Sequence, residues 1–226
     1  MVTALDRRRH RLATRYRSVP KVLIGGSAVN ATDLSSYSFT NLVVPYGPDR
    51  QRVIYAYVFN RVTGTTVANA LPNSVMIGGV TTTLLEQVTF TENNTIALSL
   101  YAALVPAGET VIVATTYPAT QTRGGAVIAA TIAPRITPRF SGTLSASGTA
   151  PISGDVIIPR TGFVGVLAQD DTAANPLTFT GAGSAEVVDS LVEAGTQMGA
   201  ATLASSGVLG VSSANDGGMI AAWLGW

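Results

Sequence analysis

The chain has 226 residues, long enough for one large β domain or two small ones, and a net charge at pH 7 of only +1. It has no cysteine and a single histidine, which excludes a disulfide framework, thiolate chemistry and a cysteine–histidine zinc site. Charged residues make up 12% and hydrophobic ones 46%, a balance poor in the charged faces of surface helices and suited to stacked strands with small residues at turns.

The near-neutral total conceals an uneven distribution. Arg7, Arg8, Arg9, Arg11, Arg15, Arg17 and Lys21 hold half of all basic residues, and only Asp6 opposes them in that stretch. Beyond Lys21 the chain is mildly acidic, so residues 1–20 read as a basic docking arm on a separate body, residues 21–226. Leu5, Leu12 and Tyr16 give the arm a thin apolar stripe. A short helix over about residues 4–17 is compatible with its Arg and Ala content, but it is marginal in isolation and expected to order against a partner. No apolar run of signal-peptide length follows the arginines, and the uncharged stretch between Glu193 and Asp216 is rich in Gly, Ser and Thr. The expectation is a chain without an export signal of its own and without membrane insertion.

From Lys21 onward the pattern is one of successive strands. Residues 37–43 alternate with period two and run into a Pro-Tyr-Gly-Pro-Asp turn at 45–49. Residues 52–59 place Val53, Tyr55, Tyr57 and Phe59 on one face and Ile54, Ala56 and Val58 on the other. With both faces apolar, this is a central strand covered on both sides. Residues 74–84 read as a hairpin turning at Gly78-Gly79, with residues 88–90 extending its second strand. Strands follow over 95–105, 110–116 and 124–132. Pro134, Pro138 and Pro151 bracket a polar connection, read either as a linker or, preferably, as the crossover between two halves of one sandwich; a sub-division near 134–151 is the alternative. Strands over 154–159, 162–169 and 177–181 come next, then an ambiguous strand or helical turn at 184–194 and small-residue strand material over 199–209. Met219–Trp226 closes the chain as a paired strand, with Trp223 expected in the core or at an interface. Many short strands separated by Gly/Pro turns indicate an all-β fold, an antiparallel, jelly-roll-like β-sandwich.

No constellation of catalytic, cofactor-binding or metal-ligating residues emerges. His10 sits within the arginine arm, away from any packed pocket. Asp170-Asp171, with Asp155 or Asp216, could approach a calcium ion, but no EF-hand or repeat-type spacing is present and turn roles are the favoured reading. The Gly-Gly pairs precede no Lys-Ser or Lys-Thr, so phosphate cradling is not supported. Tyr37, Tyr46, Tyr117, Trp223 and Trp226 are candidates for stacking on a sugar, with Tyr46 in its Pro/Gly loop the best placed. The expected site residues are therefore Arg7, Arg8, Arg9, Arg11, Arg15 and Arg17 for docking on an acidic protein surface, and Tyr46 for a glycan. Nucleic acid is not the expected partner, since only Tyr16 is interleaved with the arginines for base stacking.

Residues 38–60, the 74–85 hairpin (Val-x-Ile-Gly-Gly-Val-x-x-Thr-Leu), residues 101–116 with Tyr-Ala-Ala-Leu-Val-Pro-Ala-Gly, and the 156–169 and 177–181 elements carry a family resemblance. This strand grammar, over about residues 35–226, resembles the jelly-roll or lectin-like modules of phage tail fibres, head spikes and decoration proteins. The resemblance implies location in a virion and a structural or adhesive role without turnover. Its implied partners are other virion proteins, further copies of itself in a trimer or higher ring, and a host-surface glycan. A carbohydrate-binding receptor module is the alternative function. A polysaccharide depolymerase is disfavoured by the lack of paired catalytic groups.

Overall fold

The computed structural model of the protein describes residues 22–45, 52–106, 108–131, 138–149, 151–158, 161–169, 177–181, 184–193, 196–203, 206–214 and 217–226. The described residues form antiparallel sheets and one helical turn. The jelly-roll-like sandwich expected from the strand grammar is present, and it is present twice.

In residues 22–131 the strands are β1 (Val22–Asn30), β2 (Leu34–Val43), β3 (Arg52–Thr63), β4 (Ser74–Ile77), β5 (Val80–Thr81), β6 (Thr83–Thr91), β7 (Asn94–Val105), β8 (Thr110–Gln121) and β9 (Arg123–Thr131), with a helical turn, α1 (Val67–Ala70), between β3 and β4. They form sheet I, ordered β2-β8-β4-β5, and sheet II, ordered β1-β9-β3-β7-β6. In residues 140–225 the strands are β10 (Phe140–Gly148), β11 (Ile152–Ile158), β12 (Gly162–Gln169), β13 (Leu177–Gly181), β14 (Ser184–Glu193), β15 (Thr196–Leu203), β16 (Gly207–Ser213) and β17 (Gly217–Gly225). They form sheet III, ordered β10-β17-β12-β15-β14, and sheet IV, ordered β11-β16-β13. Substituting β10 to β17 in turn for β1, β2, β3, β4, β6, β7, β8 and β9 converts sheets II and I into sheets III and IV. The two halves therefore share one connectivity, that of a jelly roll. Among the described strands of the first half, the short β5 alone has no counterpart.

Three buried apolar layers order the sheets I-II-III-IV. Tyr37, Phe39, Ile77, Val111 and Val113 of sheet I pack on Ile54, Ala56, Val58 and Ile128 of sheet II. The opposite face of sheet II, with Tyr55, Tyr57, Phe59 and Leu98, packs on Phe163, Met198, Ile220 and Ala222 of sheet III. The far face of sheet III, with Val164, Val166, Ala201 and Ala221, packs on Val156, Ile158, Leu209 and Val211 of sheet IV. The inner sheets are thus covered on both sides, which is why β3, β7, β9, β12, β15 and β17 are almost wholly buried. The outer strand β8 keeps strict alternation, with Val111, Val113, Thr115 and Tyr117 inward and Thr110, Ile112 and Thr116 exposed.

The seam between sheets II and III interlocks through large side chains set into glycine gaps. Tyr57 fills the space over Gly165, Phe90 that over Gly218, and Met198, from the other side, that over Gly125; a Cβ at any of these glycines would lie within 2.7 Å of the facing side chain. The Tyr57 hydroxyl lies 2.8 Å from the carbonyl oxygens of both Phe163 and Ala222, donating into sheet III from sheet II.

Local details follow from the sequence. Gly78 and Gly79 have φ of 59° and 76° and close the two-residue loop between β4 and β5, as a primed hairpin turn requires. Asn41, at φ 57°, sits in a bulge between Phe39 and Leu42 that lets Leu42 point inward after Tyr37 and Phe39. Residues 88–90 do not extend the hairpin within its own sheet: β6 leaves sheet I and pairs with β7 in sheet II. The polar stretch read as a connection contains β10, an edge strand of sheet III in which Leu144 and Ala146 turn inward. The 184–194 segment is a strand, β14, and the 199–209 material divides between β15 and β16. Trp226, at 2% exposure, is the buried C-terminal tryptophan: its ring stacks edge-on against Tyr55 at 5.2 Å, and its backbone N–H donates to Thr161 O at 3.0 Å. Trp223 is half-buried and lies over Gly142.

Candidate interaction surfaces

The sequence-predicted docking residues Arg7, Arg8, Arg9, Arg11, Arg15 and Arg17 and the glycan candidate Tyr46 lie outside the described residues, as do His10, Asp170, Asp171 and Asp216. Of the other four aromatic candidates for sugar stacking, Tyr37, Tyr117 and Trp226 are buried and serve the core. Trp223 packs against the layer between sheets III and IV. None of these three buried rings presents a free face to a sugar. Residue type, which made them candidates, cannot tell a solvent-facing ring from one covered by a second sheet.

The tyrosine hydroxyls are held neutral. Burial pushes Tyr37 and Tyr55 up to about 12, and it raises Tyr57, Tyr101 and Tyr117 as well. Their hydrogen bonds are structural. Tyr37 donates toward the carbonyl oxygens of Thr32 and Gln121. Asn60 Nδ2 donates to Ala70 O and Gln121 Oε1, and Gln121 Nε2 donates to Asn69 O, so this buried amide pair ties α1 to strands β3 and β8. Buried Arg52 donates to the carbonyl oxygens of Pro45 and Gly108 and anchors the start of β3. Among the described residues, no three His, Cys, Asp or Glu side chains converge as a metal-binding group. No described helix is long and apolar enough to cross a membrane.

Two recesses occur along the rim of the II–III seam. One, a cavity of about 10 Å³, is lined by Phe59, Asn60, Arg61, Arg123, Leu167 and Thr196. Arg61 and Arg123 stand opposite each other in the β3–β9 ladder, and Arg123 Nη1 donates to Thr196 Oγ1 across the seam at 3.1 Å. This space is smaller than a typical small-molecule pocket of about 300–1,000 Å³. The other is an open depression beside Phe90, Glu92, Ser147 and Gly217. Glu92 is the one carboxylate among its described lining residues.

The outward faces of sheets I and IV consist of exposed and half-exposed side chains. On sheet I these are Ser36, Ser38, Thr40 and Val43 from β2; Thr110, Ile112, Ala114 and Thr116 from β8; Ser74 and Met76 from β4; and Thr81 from β5. No charged side chain is among them. On sheet IV they are Ser153, Asp155 and Ile157 from β11, Val208, Gly210 and Ser212 from β16, and Thr178 and Thr180 from β13. Val43 and Ile157 are the most exposed large aliphatic side chains described, at 61% and 64%.

Compared with known proteins, the chain matches no family model, no curated protein and no solved structure.

Proposed function

We propose that this protein is a structural component of a phage or phage-like particle: a fibre, spike or decoration module that docks through its basic N-terminal arm and displays a rigid doubled sandwich. The observation that carries this reading is the partition of charge. Residues 1–21 hold seven of the fourteen basic side chains and one of the thirteen acidic ones, leaving seven bases against twelve acids on the body. Such an arm suits docking on an acidic protein surface through Arg–carboxylate pairs. A body built of four tightly packed layers suits scaffolding rather than turnover. Other virion proteins and further copies of the chain are its partners under this reading, and the virion is its location.

Deleting residues 1–20 tests it. The truncated protein is expected to keep its β circular-dichroism spectrum and to be lost from purified particles. A truncated protein that incorporates at the normal copy number would overturn the docking role. The carbohydrate-binding alternative now rests on Tyr46, and a glycan array of wild type against Tyr46→Ala tests it.

A further inference from the structure

Gly148 and Gly217 are register partners in the β10–β17 ladder, and both have positive φ, 144° and 105°. A side chain is strained at either position, so this end of sheet III is bare backbone. A Cβ at Gly148 would meet no atom within 4 Å, so the space above it is open. Glycines in strands mark turns and bulges, and also places where a ligand approaches the backbone closely.

The side chains around this bare patch bear on the second role. Phe90 and Thr91, from the end of β6, and Glu92, which follows them, line a depression of about 590 Å³ together with Ser147, Thr149 and the two glycines. That volume lies within the range of about 300–1,000 Å³ usual for small-molecule sites. Phe90 is half-buried: its ring sits over Gly218, which holds it in place, and it also lines the depression. Glu92 is exposed, and its Oε2 lies 3.7 Å from where a Cβ on Gly217 would be. Ser147 and Thr149 are exposed beside it. The depression is therefore built by both halves, β6 from the first and β10 and β17 from the second.

An aromatic ring, a carboxylate, hydroxyls and uncovered backbone in one depression match the surface of a hexose. Its C–H groups suit the apolar ring of Phe90. Its hydroxyls donate to the Glu92 carboxylate in charge-assisted hydrogen bonds. Ser147 and Thr149 both donate and accept, as sugar hydroxyls do. The glycines let the sugar ring approach the sheet without meeting a side chain. The Glu92 charge works against the carboxylate of a uronic or sialic acid. We propose that this depression binds a neutral hexose unit of a glycan. The proposal goes beyond the docking role of the arm and does not involve Tyr46.

Isothermal titration of the full-length protein with neutral oligosaccharides ending in glucose, galactose or mannose tests it, beside saturation-transfer NMR of the bound sugar. Glu92→Gln removes the charge and Ser147→Phe fills the depression. Both positions are exposed, and thermal melts confirm that each variant folds. Wild type is expected to bind at least one of these sugars, with transfer from aromatic protons to its ring C–H groups. Glu92→Gln is expected to weaken binding by about ten-fold, the fold-change of losing one charge-assisted hydrogen bond. Ser147→Phe is expected to abolish it. Wild type that binds none of the neutral sugars at millimolar concentration overturns the proposal. So does binding that both variants leave unchanged, which would move the sugar elsewhere, or a preference for uronic or sialic acids. Particle docking is read separately by the residue 1–20 deletion, so a protein that docks and binds no sugar fails this proposal alone.

Discussion

Tyr57→Phe removes one oxygen atom from the centre of the molecule. In the wild-type protein that hydroxyl is fully buried, within 2.8 Å of the carbonyl oxygens of Phe163 and Ala222 on two neighbouring strands of sheet III. A single O–H makes one full hydrogen bond, so it is shared between the two acceptors. Its loss forfeits a net contribution of about 0.5–1.5 kcal/mol and leaves buried acceptors short of a donor, at about 1–3 kcal/mol. We expect a destabilisation of about 2 kcal/mol. At roughly 2–4 °C per kcal/mol for a protein of this size, the melting temperature falls by about 4–8 °C. The ring is confined as well: a Cβ on Gly165 would lie 2.6–2.8 Å from its Cγ, Cδ1 and Cδ2 atoms. Gly165→Ala should therefore cost about 1–3 kcal/mol by overpacking. In a Tyr57→Leu background, where the ring is gone, the same alanine should cost much less, giving a coupling of about 0.5–3 kcal/mol. Urea unfolding of the three single variants (Tyr57→Phe, Tyr57→Leu and Gly165→Ala) and the Tyr57→Leu/Gly165→Ala double variant, monitored by circular dichroism, measures all three quantities. A Tyr57→Phe stability within about 0.5 kcal/mol of wild type, or a Gly165→Ala cost unchanged by removing the ring, would refute the view that this contact locks the halves together.

Three other outcomes follow from burial. Trp226→Ala should destabilise by about 3–5 kcal/mol, and Trp223→Ala, at a half-buried site, by clearly less. Emission of the Trp226→Ala variant, with only Trp223 left, should be red-shifted from wild type; equal melting temperatures for the two variants would contradict the assignment. The raised tyrosine pKa values predict alkaline unfolding. Below pH 10 both states keep the phenols protonated and the stability is intact. Above pH 10 the unfolded chain loses protons that the folded chain retains, so each buried tyrosine withdraws up to about 1.4 kcal/mol per pH unit until its folded pKa, about 12 for Tyr37 and Tyr55, is passed. A pH titration should show phenolate absorbance rising together with loss of β structure; early ionisation without unfolding would count against burial. Asn60→Leu strips the donor from Ala70 O and Gln121 Oε1 and should cost about 2–3 kcal/mol, read by denaturant melts, where a neutral effect would deny the network a structural role.

Much of the fold was legible in the chain because strand burial is written in local alternation. The double-faced apolar run of β3, the Gly78-Gly79 turn and the closing strand ending at Trp226 were all readable from neighbours in sequence. The charge break after Lys21 was equally plain. β10 escaped notice because an edge strand needs few inward apolar residues, and Phe140–Gly148 is largely Ser, Gly, Thr and Ala, residues with little strand signal of their own. The open faces of sheets I and IV could not be recognised either, since an exposed Thr on an outer face and a Thr in a loop look alike in sequence.

What only the tertiary structure decided is which layer covers which face. A period-two pattern says that a face is buried, and it is the same pattern whatever sheet lies against it. Tyr57 and Gly165 are far apart in the chain, and nothing local to either marks the gap in one as the seat of the other. The doubling of the sandwich and the burial of Trp226 rather than Trp223 both arise from such long-range matches. They are set by side-chain volume and shape where sheets meet, quantities that composition and periodicity do not carry.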